Sequence, residues 1–92
     1  MIVRISTEGQ YELSEDAAAA LHELDSQVVV ACDADDEAEF RTTYGRLLDL
    51  VRTEGKPLAD DELVGSDVIL PPPDVSLDEA KAEFTGEGLI PD

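Results

Sequence analysis

A chain of 92 residues, 42% of them hydrophobic, can bury one core, which excludes two independent domains and a wholly disordered chain. Twenty-three acidic residues against six basic ones give a formal net charge of −17, which repels the phosphates of nucleic acids and of anionic lipid headgroups. We therefore expect one domain over residues 1–92 that binds neither nucleic acid nor the membrane directly.

The charges are spread unevenly along the chain. Residues 14–39 hold nine acids and no base, and residues 57–92 hold ten acids and one lysine. Residues 40–56 carry four of the six bases and only two acids. Two interpretations stay open: the acids meet a partner, or they reflect a halophile-like composition suited to a salt-rich cytoplasm, where salt screens their repulsion.

The sequence predicts a cytoplasmic protein. The N-terminal residues lack the basic region and long apolar stretch of a signal peptide. No apolar run exceeds five residues, whereas a span needs about 20. The single cysteine, Cys32, has no partner for an internal disulfide and suits a reducing compartment.

Taken in chain order, the first predicted element is a β-hairpin. Residues 2–6 and 10–13 each alternate apolar and polar side chains, and Glu8-Gly9 lies between them. Alternation interrupted by a short glycine-containing turn is typical of two antiparallel strands.

A first helix is predicted to begin after Ser14, which can cap it, with Glu15 and Asp16 in the first turn. One apolar stripe at helical spacing follows: Ala17, Leu21, Leu24, Val28 and Ala31. The consecutive valines within residues 28–32 would also suit a buried strand. We favour a helix because the stripe crosses them without a break.

A second helix follows, and the two should form an antiparallel αα-hairpin. Asp36 and Glu39 have the spacing of a capping box. Its apolar face comprises Phe40, Tyr44, Leu47, Leu48 and Val51. Gly55 has the position of a C′ glycine. Gly45 inside the helix costs about 1 kcal/mol relative to alanine, which points to a close approach between the helices.

The C-terminal third is predicted to consist of short elements. Residues 59–64 can form one helical turn, and Val68–Leu70 can add a third strand before three prolines. Ser76 and Glu79 form a capping box that starts a helix running to about Phe84. The predicted fold is thus α+β: a β-hairpin, extended by that third strand, packed on an αα-hairpin with a short C-terminal helix.

No catalytic, metal or cofactor site is expected. His22 and Cys32 are about 15 Å apart along one helix, beyond the reach of a nucleophile and its base. The acidic loop at residues 33–37 lacks the glycine and the bidentate glutamate of an EF-hand, since Ala38 and Tyr44 hold those positions. We therefore predict that the protein is not an enzyme.

The basic residues of the second helix are expected to neutralise acids. Arg41, Arg46 and Arg52 flank its apolar face on a helical wheel. We expect them to pair with acids of the first helix and of the C-terminal segment, each exposed pair being worth well under about 1 kcal/mol.

Three blocks together resemble a known family: MIVRISTEGQYEL (1–13), SDVILPPPDVSLDEA (66–80) and GEGLIPD (86–92). With the αα-hairpin between them, the chain resembles the PspA-associated protein family, PspAA. The resemblance implies a cytoplasmic, non-enzymatic accessory of the phage-shock response. Such a protein acts beside an ESCRT-III-like coiled-coil protein, PspA, at the inner membrane face. It carries over no catalytic residues.

A coiled-coil partner would offer basic stretches to the acidic segments 14–39 or 57–79 and a groove to the hydrophobic tail Leu89-Ile90. The candidate interface residues are four acids and two tail residues: Glu23, Asp25, Asp78, Glu79, Leu89 and Ile90. Two alternatives remain. One is a self-associating structural module without a PspA partner, a homo-oligomer that pairs through the hairpin edge at residues 2–6. The other is a small ligand-binding domain, for which the sequence offers no coherent site.

Overall fold

The computed structural model describes residues 1–59 and 65–84. Within them the α+β prediction is confirmed: a mixed four-stranded sheet packs with three helices. The strands are β1 (Ile2–Ile5), β2 (Gly9–Glu12), β3 (Lys56–Pro57) and β4 (Val68–Leu70). The helices are α1 (Glu15–Asp33), α2 (Glu37–Glu54) and α3 (Leu77–Glu83).

The predicted hairpin forms between β1 and β2. The strands are antiparallel, with Val3 opposite Tyr11 and Ile5 opposite Gly9. Gly9 has φ of 122°, a conformation that residues with a Cβ rarely adopt. This explains why glycine closes the turn.

The third strand is confirmed, and its pairing places β1 inside the sheet. β4 runs parallel to β1, with Val3 opposite Val68 and Ile5 opposite Leu70. The strand order is β3-β2-β1-β4. The prediction that residues 2–6 form a free hairpin edge is therefore wrong, because β1 has a neighbour on each side. Self-association through that edge loses its structural basis.

The two long helices form the predicted αα-hairpin. The Ser14 hydroxyl accepts a hydrogen bond from the Ala17 amide (3.2 Å) and caps α1, and the Asp36 carboxylate accepts one from the Glu39 amide (3.1 Å) and caps α2. α1 continues through residues 28–32, so the helical interpretation of the valine run is confirmed. The apolar face predicted for α2 is buried along its whole length.

Two glycines differ from their predicted roles. A Cβ added to Gly45 would have nothing within 4 Å, so this residue marks no close helix approach. Gly55 ends α2, but with φ of −80° it is not in the left-handed conformation of a C′ glycine. The constraint is steric, since a Cβ there would lie 2.8 Å from Cβ of Tyr11 and 3.2 Å from Cδ2 of Leu13.

The C-terminal helix begins as predicted. The Ser76 hydroxyl accepts from the Glu79 amide (3.1 Å), and Oε1 of Glu79 accepts from the Ser76 amide (3.3 Å), which completes the capping box. α3 ends one residue before Phe84, which is itself buried. The helical turn predicted at residues 59–64 and the tail residues Leu89 and Ile90 fall on parts of the chain outside the described residues.

Candidate protein-interaction surface

Arg52 ties α2 to the turn of the β-hairpin. Its Nε donates to Oε1 of Glu8 at 2.9 Å, and its Nη1 lies 3.3 Å from Oδ1 of Asp49. The hydrogen bond from Arg52 holds the pKa of Glu8 below its ordinary value, and the same bond raises the pKa of Arg52. This arginine was predicted to pair with acids of the first helix and of the C-terminal segment. Its partners in the described residues are instead Glu8 and Asp49, because β1 and β2 bring their turn beside α2.

Two other basic residues also make contacts within the domain. Nη1 of Arg41 donates to the carbonyl of Val75 at 2.8 Å, so it binds a backbone oxygen rather than an acid. Lys81 pairs with Asp35 in the α1–α2 turn at 2.9 Å, and that contact raises the pKa of Lys81. Because six bases face twenty-three acids, much of the acidic surface stays uncompensated even with these contacts.

A groove lies between the end of β4 and α3, and we call it the β4–α3 groove. Its volume is about 280 Å³. Apolar side chains and two carboxylates line it: Ile69, Pro71, Pro72, Val75, Glu79 and Glu83. Leu70 also borders the groove and is fully buried, whereas Ile69 is 60% exposed. The groove therefore combines an apolar wall with an acidic side.

The segment after β4 that forms one wall of this groove is held by two hydrogen bonds from α2 and one of its own. The Tyr44 hydroxyl donates to the Pro71 carbonyl, and the Val75 amide donates to the Pro72 carbonyl at 3.0 Å. The contact of Arg41 with Val75 completes the support. Three hydrogen bonds thus hold a segment that follows a strand of only three residues.

The structure distributes the predicted interface residues over different environments. Glu23 is exposed on α1, and Asp78 and Glu79 are exposed in the first turn of α3. Asp25, in contrast, is 0% exposed and lies in the interior of the domain. The sequence carried a signal for this burial, since Asp25 follows Leu21 by four residues and precedes Val28 by three, the spacing of one helix face.

Of the four predicted residues that the structure describes, Glu79 alone lines the β4–α3 groove. Sequence reasoning missed Ile69, Pro72 and Glu83. Two signals were present: Ile69 lies between two inward-facing residues of a strand, and Glu83 follows Glu79 at the one-turn spacing of a helix.

The outer face of α1 is a second exposed surface. Val30 is 67% exposed there, beside a shallow depression lined by His22, Glu23, Ser26 and others of the same helix. Because one element supplies every lining residue, this surface has no opposing wall. It is less suited to enclose a partner side chain than the β4–α3 groove.

Cys32 is 2% exposed, and burial raises the pKa of its thiol, so the reactive thiolate is disfavoured. In residues 1–59 and 65–84, no three potential metal-ligating side chains lie together. No helix in those residues has the length and apolar character needed to cross a membrane.

Comparison with known proteins gives one match. A protein-family model described as PspA-Associated protein (PspAA) matches residues 1–92. No curated protein and no solved structure matches the chain. The family match confirms the resemblance drawn from the three sequence blocks.

Proposed function

This chain belongs to the PspA-associated protein family, and we propose that it is a non-enzymatic accessory of the phage-shock response that binds a PspA-like coiled-coil protein. The match over the whole chain carries this proposal. The family name itself indicates association with PspA, and the manner of association is our inference.

The surface chemistry supports protein binding. The net charge of −17 opposes contact with anionic lipid, whereas basic stretches of a partner would be attracted. Six bases against twenty-three acids leave this negative field in place, and Arg52, Arg41 and Lys81 contact groups of the domain itself. We place the protein in the cytoplasm, brought to the inner membrane face by its partner.

The β4–α3 groove supports the same conclusion. It is apolar on one wall and acidic on the other. Such a surface suits recognition of another protein better than bond-breaking chemistry.

The test is reconstitution with the PspA-like protein of the same organism. We expect the two purified proteins to co-elute in size-exclusion chromatography at moderate salt. We also expect the chain to sediment with anionic vesicles only when that protein is present. Absence of a complex at both moderate and high salt would exclude the proposed function. Sedimentation of the chain alone would contradict the membrane part of it.

A further inference from the structure

We propose that the β4–α3 groove binds a helix of the partner protein, one that presents an apolar side chain next to basic residues spaced one turn apart. This inference rests on the proposed function and names the surface that binds the partner. Different residues form the apolar part and the charged part of the groove.

The apolar part is Ile69 and the neighbouring prolines. Ile69 and Val30 are the two large hydrophobic side chains that stand exposed in the described residues, and Ile69 adjoins a concave surface built from separate elements. An apolar side chain seated against Ile69 and Pro72 would remove both from water. Burial of this kind, at the centre of a contact, supplies much of the free energy of protein association.

The groove requires little ordering before it binds. Tyr44, Arg41 and the Val75 amide already hold the backbone of residues 71–75 through hydrogen bonds. A surface that is organised in advance loses less conformational entropy when a ligand arrives. Binding energy is therefore not used to shape the site.

A helix fits this groove better than an added strand. β4 ends the sheet order in the described residues but is only three residues long. Pro71 and Pro72 follow it, and prolines have no N–H to donate to a neighbouring strand. Strand addition would stop after a few hydrogen bonds, whereas a helix needs none from the β4 backbone.

The charged part is the pair of carboxylates on α3. Glu79 and Glu83 are one helical turn apart, about 6 Å along the axis. Neither forms an ion pair with a basic side chain in the part of the chain the structure describes. Lysines or arginines spaced by four residues on a partner helix lying along α3 match this spacing. A second copy of this chain is a poorer match, because acids predominate on its α1 and α3.

The experiment measures binding of full-length variants to the purified PspA-like protein by isothermal titration calorimetry. We expect Ile69→Asp to weaken binding at least tenfold. We expect Glu83→Lys to weaken it by a similar factor at moderate salt and by less in 1 M KCl, since salt screens charge pairs. The matched controls are Val30→Asp, an equally exposed apolar residue on α1, and Glu54→Lys, an exposed acid at the end of α2. Both should bind within twofold of the wild-type chain.

The outcomes separate this inference from the proposed function. If the wild-type chain does not bind, the proposed function fails. If it binds and neither groove variant weakens it, the groove inference is overturned while the proposed function stands. Loss of binding in Val30→Asp alone would assign the partner to α1. A homodimer lost in Ile69→Asp would assign the groove to a second copy. Each of these last two results contradicts the proposal.

Discussion

The hydroxyl of Tyr44 donates a hydrogen bond to the carbonyl oxygen of Pro71, which joins the middle of α2 to the residue that follows β4. The same ring stacks on Phe40 at 5.5 Å between centroids and meets Phe84 edge-on at 5.6 Å. One buried side chain thus connects α2, the proline segment and the end of α3. Burial also raises the pKa of Tyr44, which keeps the hydroxyl protonated as a donor.

Replacing Tyr44 with phenylalanine should lower the free energy of unfolding by about 1 kcal/mol near pH 8, because the Pro71 carbonyl loses its donor. The difference in the free energy of unfolding between the wild-type chain and this variant should shrink as the pH rises. The pKa of Tyr44 is raised in the folded chain, so the contribution of its protonated hydroxyl is fully present below the unfolded pKa of roughly 10 and is lost progressively as the pH rises from there through the folded value. Urea unfolding at pH 8 and pH 11 measures this, and a gap that stays constant would refute the assigned role.

Two glycine-to-alanine substitutions should have opposite effects. Gly55→Ala should destabilise the protein by about 1–3 kcal/mol, because the new methyl group would overlap the carbonyl oxygen of Val51 and Cβ of Tyr11. Gly45→Ala should stabilise it by about 0.5–1 kcal/mol, since the space there is open and alanine favours a helix interior. Thermal unfolding of the two variants checks the pair, and a loss of stability in both would show that the steric account is wrong.

The ion pair between Glu8 and Arg52 should contribute a small, salt-sensitive coupling. A double-mutant cycle with Glu8→Gln and Arg52→Gln should give no more than about 1 kcal/mol, because both groups are partly exposed. The pKa of Glu8 is lowered in the folded state, so this contribution is present above the unfolded pKa of roughly 4.3 and is lost as the pH falls through the folded value. The control is the same cycle with Arg46→Gln, for which zero coupling is expected.

The melting temperature should climb steeply from low salt to molar KCl if the acidic surface is an adaptation to a salt-rich cytoplasm. Screening weakens the repulsion among carboxylates of a chain with net charge −17. Each 1 kcal/mol recovered in this way raises Tm by roughly 4–8 °C for a domain of this size. An uncharged osmolyte at equal osmolality serves as the control. A flat response to KCl would remove the salt-adaptation interpretation.

Local patterns in the sequence predicted the elements well. Ser14, Asp36 and Ser76 each cap the helix expected of them, because capping depends on a few neighbouring residues. The unbroken apolar stripe correctly predicted a helix at residues 28–32, although valine prefers strands. Alternation around Glu8-Gly9 likewise predicted the hairpin.

Relationships between distant segments were harder to predict. The pairing of β1 with β4 joins residues about 65 positions apart, and three apolar residues before a proline run do not specify which strand they join. β3 was missed because Lys56 and Pro57 carry no strand pattern and pair with β2 only at the sheet edge. The partner of Arg52 and the β4–α3 groove depend on the same long-range packing.

The central position of β1 has a consequence for synthesis on the ribosome. The first strand to emerge has only β2 beside it until residue 70 has been made, since its parallel neighbour β4 comes after both long helices. Pairing β4 with β1 closes a loop that contains both long helices. Such a pairing has high contact order, which slows folding. Until then one edge of β1 lacks its strand neighbour. The mutual repulsion of nascent chains rich in carboxylates would help to keep those edges from pairing with one another.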